Sequence, residues 1–184
     1  MRMPPPLPKA SRPRMTGLLN SLAQIALLRR DPSGLPSSAA WVAVFVLLYA
    51  AVDVVIILLD HNFRVVARTA LDVAFSLAFL GLPLLVTRRT HRYPQTVIAA
   101  FGAYVLLSPA MVILLLLRVP AESNEGIAFL ATAGSVLLVI WYLLIVGHIL
   151  RCALDTGLVT GFAIALAWTL ASIALSQSLF GGLG

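Results

Sequence analysis

A carboxylate inside a long apolar stretch is costly to bury in lipid, so each such residue is a candidate for function. Asp53 lies deepest, about six residues inside the outer end of the run Ala39–Leu59, and Asp60 follows seven residues later on the same helical face. In that position Asp53 can bind a proton or a small cation. It can equally be a carboxylate hydrogen-bonded within a helix bundle, or one paired with Arg64 or Arg68, and the residue types leave both readings open. Asp72 reads differently. It falls in the first turn of the next apolar run, where negative charge complements the positive helix end, and Arg68 four residues earlier can pair with it.

A second group is basic. Arg88, Arg89, His91 and Arg92 occupy the loop after the second run, and His148, Arg151 and Asp155 close the fourth. The spacings of three and four place His148, Arg151 and Asp155 on one helical face. If the two loops meet, they form a basic pocket at headgroup depth, suited to anionic lipid headgroups or the acidic face of a partner. The competing reading is an ordinary cytoplasmic rim of snorkelling arginines.

Other chemistries lack their residues. His61, His91 and His148 do not supply two axial haem ligands within apolar runs. No His, Glu and Cys spacing resembles a zinc site. There is no glycine-rich phosphate loop, and the Ser and Thr residues of the apolar runs have no neighbouring His to activate them. Cys152 stands alone, which excludes an intramolecular disulfide. The expectation is a protein without enzymatic activity, cofactor or metal. The net charge of +6 invites a nucleic-acid reading, but the thirteen basic residues are scattered between apolar runs and form no phosphate groove.

The elements that must position these residues follow from composition. The chain is 184 residues long, 60% hydrophobic and 11% charged, whereas soluble domains carry about 25% charged residues. Crossing roughly 30 Å of hydrocarbon takes about 20 apolar residues at 1.5 Å each. Five runs approach that length: 39–59, 70–86, 96–117, 127–150 and 158–180. Backbone amides in lipid must be satisfied internally, so these runs predict helices. The expected fold is all-α, a bundle of five transmembrane helices over residues 37–181, preceded by an interfacial helix. Gly81, Pro83 and Pro109 should kink the second and third spans.

Residues 1–16 are Pro-rich and basic and are expected to be disordered. The stretch 17–30 is amphipathic: Gly17, Asn20, Ser21 and Gln24 share one face, Leu18, Leu22, Ile25 and Arg29 the other. It predicts a helix that lies in the membrane interface or packs on the bundle. It ends in Arg29-Arg30 and not in a small-residue cleavage site, so a cleaved signal peptide is not expected. Gly157, Gly161 and Ala165 form a small-residue stripe on the fifth span, where a partner helix, from this chain or from a second copy, can approach closely.

Arginine and lysine set the orientation. Ten basic residues fall on the side of the N-terminus and the loops after the second and fourth spans, against Arg64, Arg68 and Arg118 on the other. The N-terminus is therefore expected in the cytoplasm and the C-terminus outside. The acids Asp60, Glu122 and Glu125 gather on that outer side. Arginine outnumbers lysine twelve to one, which reads as high-GC bacterial coding and places the protein in an inner membrane.

Three segments carry a resemblance: Arg30-Asp31-Pro32-Ser33-Gly34-Leu35-Pro36 before the first span, Tyr93-Pro94-Gln95 opening the third, and Gly147-His148-Ile149-Leu150-Arg151 closing the fourth. With the five-span layout they are similar to the Yip family, the Rab/Ypt-interacting five-helix membrane proteins, over roughly residues 20–180. The resemblance implies a five-helix fold and a role in membrane traffic or shaping. The Asp-Leu-Tyr-Gly-Pro-type motif of that family is not intact here, so the resemblance assigns no functional residue. Two functions are carried forward: a scaffold or lipid-organising subunit acting through the basic rim, and a small oligomeric transporter or channel using Asp53.

Overall fold

The computed structural model describes residues 15–59, 64–118 and 124–180. Residues 1–14, with the disorder expected there, lie outside the described residues, as do Asp60, His61, Glu122 and the last four residues.

Helix α1 spans Met15–Ala26, α2 Ala39–Leu59, α3 Val65–Val86, α4 Tyr93–Leu116, α5 Glu125–Leu154 and α6 Leu158–Phe180, with single 3-10 turns at Pro32–Gly34 and Thr90–Arg92. The helices α2 to α6 are long and apolar enough to cross a membrane. Their outer surface exposes large apolar side chains such as Leu47, Val66, Phe129, Leu137 and Val159. Water is a poor solvent for such a surface and lipid a good one. The chain is an all-α protein embedded in a membrane.

Going round the bundle, α2, α4, α5, α6 and α3 are successive neighbours, and α3 closes the ring on α2. Helix α4 is the most enclosed, with every residue from Val97 to Ala103 buried. Its Gly102 has no side chain because the space is taken: a Cβ there would lie 2.8 Å from a Leu22 methyl and 3.2 Å from the Phe45 ring. That close fit seats α1. Leu18, Leu22 and Ile25 are buried against the bundle, so of the two placements open for the amphipathic stretch the structure shows the packed one. Ser21, expected on the polar face, is buried with them and donates to the Gly17 carbonyl at 2.8 Å.

Several helix boundaries differ from expectation. Helix α3 begins at Val65, not near residue 70, and α5 runs from Glu125 to Leu154, beyond 127–150 at both ends. Asn124 starts α5 by accepting from the amides of Gly126 at 3.0 Å and Ile127 at 3.2 Å. Asp72 is consequently seven residues inside α3 and is no helix-start residue, which corrects that reading. Proline 109 shows how the interior handles a lost bond. It cannot donate to the carbonyl of Val105, and the adjacent Ser108 hydroxyl donates to that oxygen instead at 2.7 Å.

The stripe on α6 is used within the chain. Gly161 and Ala165 are buried against α5, and a Cβ on Gly161 would collide with the Gly147 carbonyl and lie 2.9 Å from the Arg151 amide. Gly157 has nothing within 4 Å of such a Cβ. Gly161 and Ala165 are thus taken up by packing within the chain, and Gly157 faces open space.

Candidate functional site

The basic rim does not assemble as one pocket. Asp155 terminates α5 in the left-handed conformation, φ 48°, which turns its carboxylate away from the Arg151 face. There it receives Arg89 and also Arg92 at 2.9 Å. Arg92 further caps α5, donating to the carbonyls of Cys152 at 2.8 Å and Ala153 at 3.3 Å. Arg151 belongs to a separate knot. Its Nε donates to His148 Nδ1 at 3.2 Å, so His148 Nε2 carries the hydrogen and donates to the Arg30 carbonyl at 3.1 Å. Arg30 in turn donates to Ser21 Oγ at 3.0 Å. Gln95 bonds the carbonyls of Ser33 at 2.8 Å and Leu35 at 3.1 Å. Arg88 and His91 are exposed and stand outside both knots.

Between these groups lies a cleft of about 110 Å³ beside Asp31, Arg92, Gln95 and Cys152. That holds a few waters, not a lipid headgroup. The expected basic pocket is thus a clasp that fastens α1 and the loops to the bundle, with Arg89 and Arg92 both held by Asp155.

The clasp has a defined pH response. The hydrogen bond from Arg92, with the Arg89 charge beside it, holds the Asp155 carboxyl below the usual carboxylate range. A folded-state value lowered in this way stabilises the fold fully above the ordinary aspartate pKa, and the contribution fades as pH falls through the lowered one. Hydrogen exchange of the amides of residues 88–92, corrected for intrinsic rate, should stay constant from about pH 8 down to about pH 5 and rise only below about pH 4. Asp155→Asn should raise it above about pH 5 and remove the further rise in acid.

The other end of the bundle holds the larger feature, a cavity of about 560 Å³. Both Asp53 and Asp72 line it. Asp53 lies six residues before the end of α2 and Asp72 seven after the start of α3, so both sit roughly 9–10 Å below the helix ends. Asp53 accepts from Thr69 Oγ1 at 2.7 Å and Tyr104 OH at 3.4 Å. Asp72 accepts from Tyr49 OH and, at 3.0 Å, from Ser172 Oγ. A carboxylate offers about four acceptor positions, so each has room for a ligand.

Beneath the carboxylates runs an aromatic layer. The Tyr49 ring stacks on Phe101 at 4.4 Å and meets Tyr104 at 4.5 Å; Tyr104 meets Tyr142 at 5.9 Å, and Tyr142 meets Trp168 at 6.1 Å. Four helices contribute one or more rings each. Below them Ile98, Ile145, Val146 and Ile149 are fully buried and close the bundle toward the rim. Two buried polar atoms have no hydrogen-bond partner among the described residues, Ser76 Oγ and Trp168 Nε1. Ser76 is four residues past Asp72 on α3 and Trp168 four before Ser172 on α6, so each is one turn nearer the rim.

No family model, curated protein or solved structure matches this chain. The geometry of the cavity is therefore the guide to function. Of the residues the sequence offered as binding or ion sites, the cavity contains Asp53 alone. Asp72, Tyr49, Tyr104, Tyr142 and Ser172 join it from five helices. One sequence signal for them exists: Tyr49 and Asp53 are four residues apart, which puts a phenol and a carboxylate on one helical face.

Proposed function

We propose that this membrane protein is a carrier for a small amphiphile, which enters at the end opposite the arginine rim and is held at Asp53 and Asp72. The observation that carries this reading is the 560 Å³ cavity with two carboxylates at its base, a size typical of small-molecule sites. Acids inside a span usually mark a substrate or ion pathway. The closed aromatic layer favours a carrier over an open channel, because passage requires those rings to move. With the arginine rim in the cytoplasm, the cavity opens to the outside, the periplasm in a bacterial inner membrane. The rim scaffold reading has less to draw on, since Arg89 and Arg92 already serve Asp155.

The test uses proteoliposomes and three fluorescent amphiphiles of equal chain length: lysophosphatidylethanolamine, lysophosphatidylglycerol and an alkyltrimethylammonium. Movement between leaflets is read by dithionite quenching. At least one should move faster than in protein-free vesicles, with Asp53→Asn abolishing the gain. If none does, the carrier reading fails.

Ser76 supplies an independent check. An unpaired buried hydroxyl costs about 1–3 kcal/mol, so Ser76→Ala should raise the unfolding temperature. If Ser76 is the next polar station below Asp72, the same variant should slow transport. A more stable protein with unchanged transport would remove Ser76 from the path.

A further inference from the structure

The charges that line the cavity narrow its ligand, on the reading that the cavity is a carrier site. Among the described residues four charged side chains line it: Asp53, Asp72, Arg68 and Arg118. They are ordered by depth. The carboxylates lie roughly 9–10 Å below the helix ends, whereas Arg68, three residues into α3, lies roughly 4–5 Å below them. Arg118 stands two residues beyond the end of α4. Among the described lining residues the carboxylates thus lie at the base and Arg68 and Arg118 toward the mouth.

In a low-dielectric site an unmatched charge is heavily penalised. A simple cation satisfies the base and is repelled at the mouth. A simple anion meets the reverse. A ligand that is itself a dipole, ammonium inward and acid outward, meets both ends. The base is further suited to an ammonium because the Tyr49 and Tyr104 rings lie in the cavity lining beside the carboxylates, and aromatic faces attract cations. The step from Asp72 back to Arg68 is one helical turn, about 5–6 Å. That separation suits an ammonium joined to its acid through a short linker, as in phosphoethanolamine, better than an α-amino acid, whose two charges sit on adjacent carbons. Leu107, Met111, Leu114 and Ile173 line the walls, which suits an attached acyl chain.

We propose that the cavity between Asp53, Asp72 and Arg68 binds a zwitterionic phosphoethanolamine-type head, with the ammonium on the carboxylates and the phosphate toward Arg68. The shared chemistry is that of a lipid headgroup and of the free phosphoethanolamine ester.

The full-length protein in nanodiscs is titrated with the three amphiphiles above. Lysophosphatidylethanolamine should bind at least about 10-fold more tightly than the other two, a difference of 1.4 kcal/mol. Asp53→Asn should weaken it by a similar factor. Arg68→Gln should remove the preference differently, weakening the zwitterion while strengthening the alkyltrimethylammonium, a crossover that misfolding would not give. Competition by soluble O-phosphoethanolamine assigns the head alone as ligand; lack of competition, with the lysolipid still preferred, assigns the lipid. If lysophosphatidylglycerol binds as tightly as the zwitterion, or if Arg68→Gln leaves the ranking unchanged, the zwitterion assignment is overturned. Binding of any of the three that still depends on Asp53 would leave the carrier site standing.

Discussion

Gly161→Val is expected to unfold the hairpin of α5 and α6, while Gly157→Val, four residues away, is tolerated. The two glycines belong to the same stripe on α6 but meet different surroundings. At Gly161 a side chain would strike backbone on two sides, the Gly147 carbonyl and the Arg151 amide. Backbone cannot rotate aside as a leucine methyl can. At Gly157 there is open space. Forcing extra methyls into such a contact costs about 3 kcal/mol or more, and α5 with α6 is the most extensive helix pairing in the fold. Thermal unfolding in mild detergent measures it. Gly161→Val should lower the midpoint sharply or prevent recovery of folded protein, with Gly157→Val close to the parent. Equal midpoints would mean that the two helices do not cross where the structure has them.

The second large effect is on function. Asp53→Asn and Asp72→Asn should each reduce amphiphile movement by about 10- to 100-fold, corresponding to the roughly 1.5–3 kcal/mol of a hydrogen bond to a charged group. Stability should change little, because the amide oxygen of asparagine keeps one of the two accepted hydrogen bonds at each position, and the hydroxyl facing its NH2, Thr69 or Tyr104 at position 53 and Tyr49 or Ser172 at position 72, can turn to accept instead. That contrast separates function from structure. Purely structural carboxylates would show the opposite pattern, with a lower midpoint and unchanged transport.

The five spans were legible because apolar runs of about 20 residues have one solution in lipid. The boundary of α3 was not. Arg68 and Asp72 break the hydropathy signal, so apolarity alone starts the run near residue 70 and makes Asp72 a terminal charge. Only its donors on α2 and α6, Tyr49 and Ser172, show it to be an interior residue. The aromatic layer was hidden for a related reason. Tyr49, Tyr104, Tyr142 and Trp168 come from four helices, each apolar nearly all round, and such helices carry little sequence record of which face turns inward.

The rim was legible in its residues and not in its outcome. His148 and Arg151 do meet, as their spacing of three requires. Asp155 was expected on their face, and its left-handed backbone sends it to Arg89 and Arg92. No spacing rule for helices covers the residue that ends one. The three segments that carry the Yip resemblance are brought together in the structure. Gln95 binds the carbonyls of Ser33 and Leu35, and His148 binds that of Arg30. Their residues act there as fasteners of the N-terminal segment to the bundle.

The central claim is a site between the spans, reached from the end opposite the arginine rim. Ser172 marks it, since its hydroxyl binds Asp72 and it lines the cavity. The most direct measurement places a single thiol there, with Ser172→Cys in a Cys152→Ala background. A membrane-impermeant trimethylammonium methanethiosulfonate is then applied to sealed vesicles of either orientation. The thiol should react from the outer side only, more slowly when lysophosphatidylethanolamine is present, with a buried Ala165→Cys control unreactive. Reaction from the arginine side, or none from either side, would contradict the account.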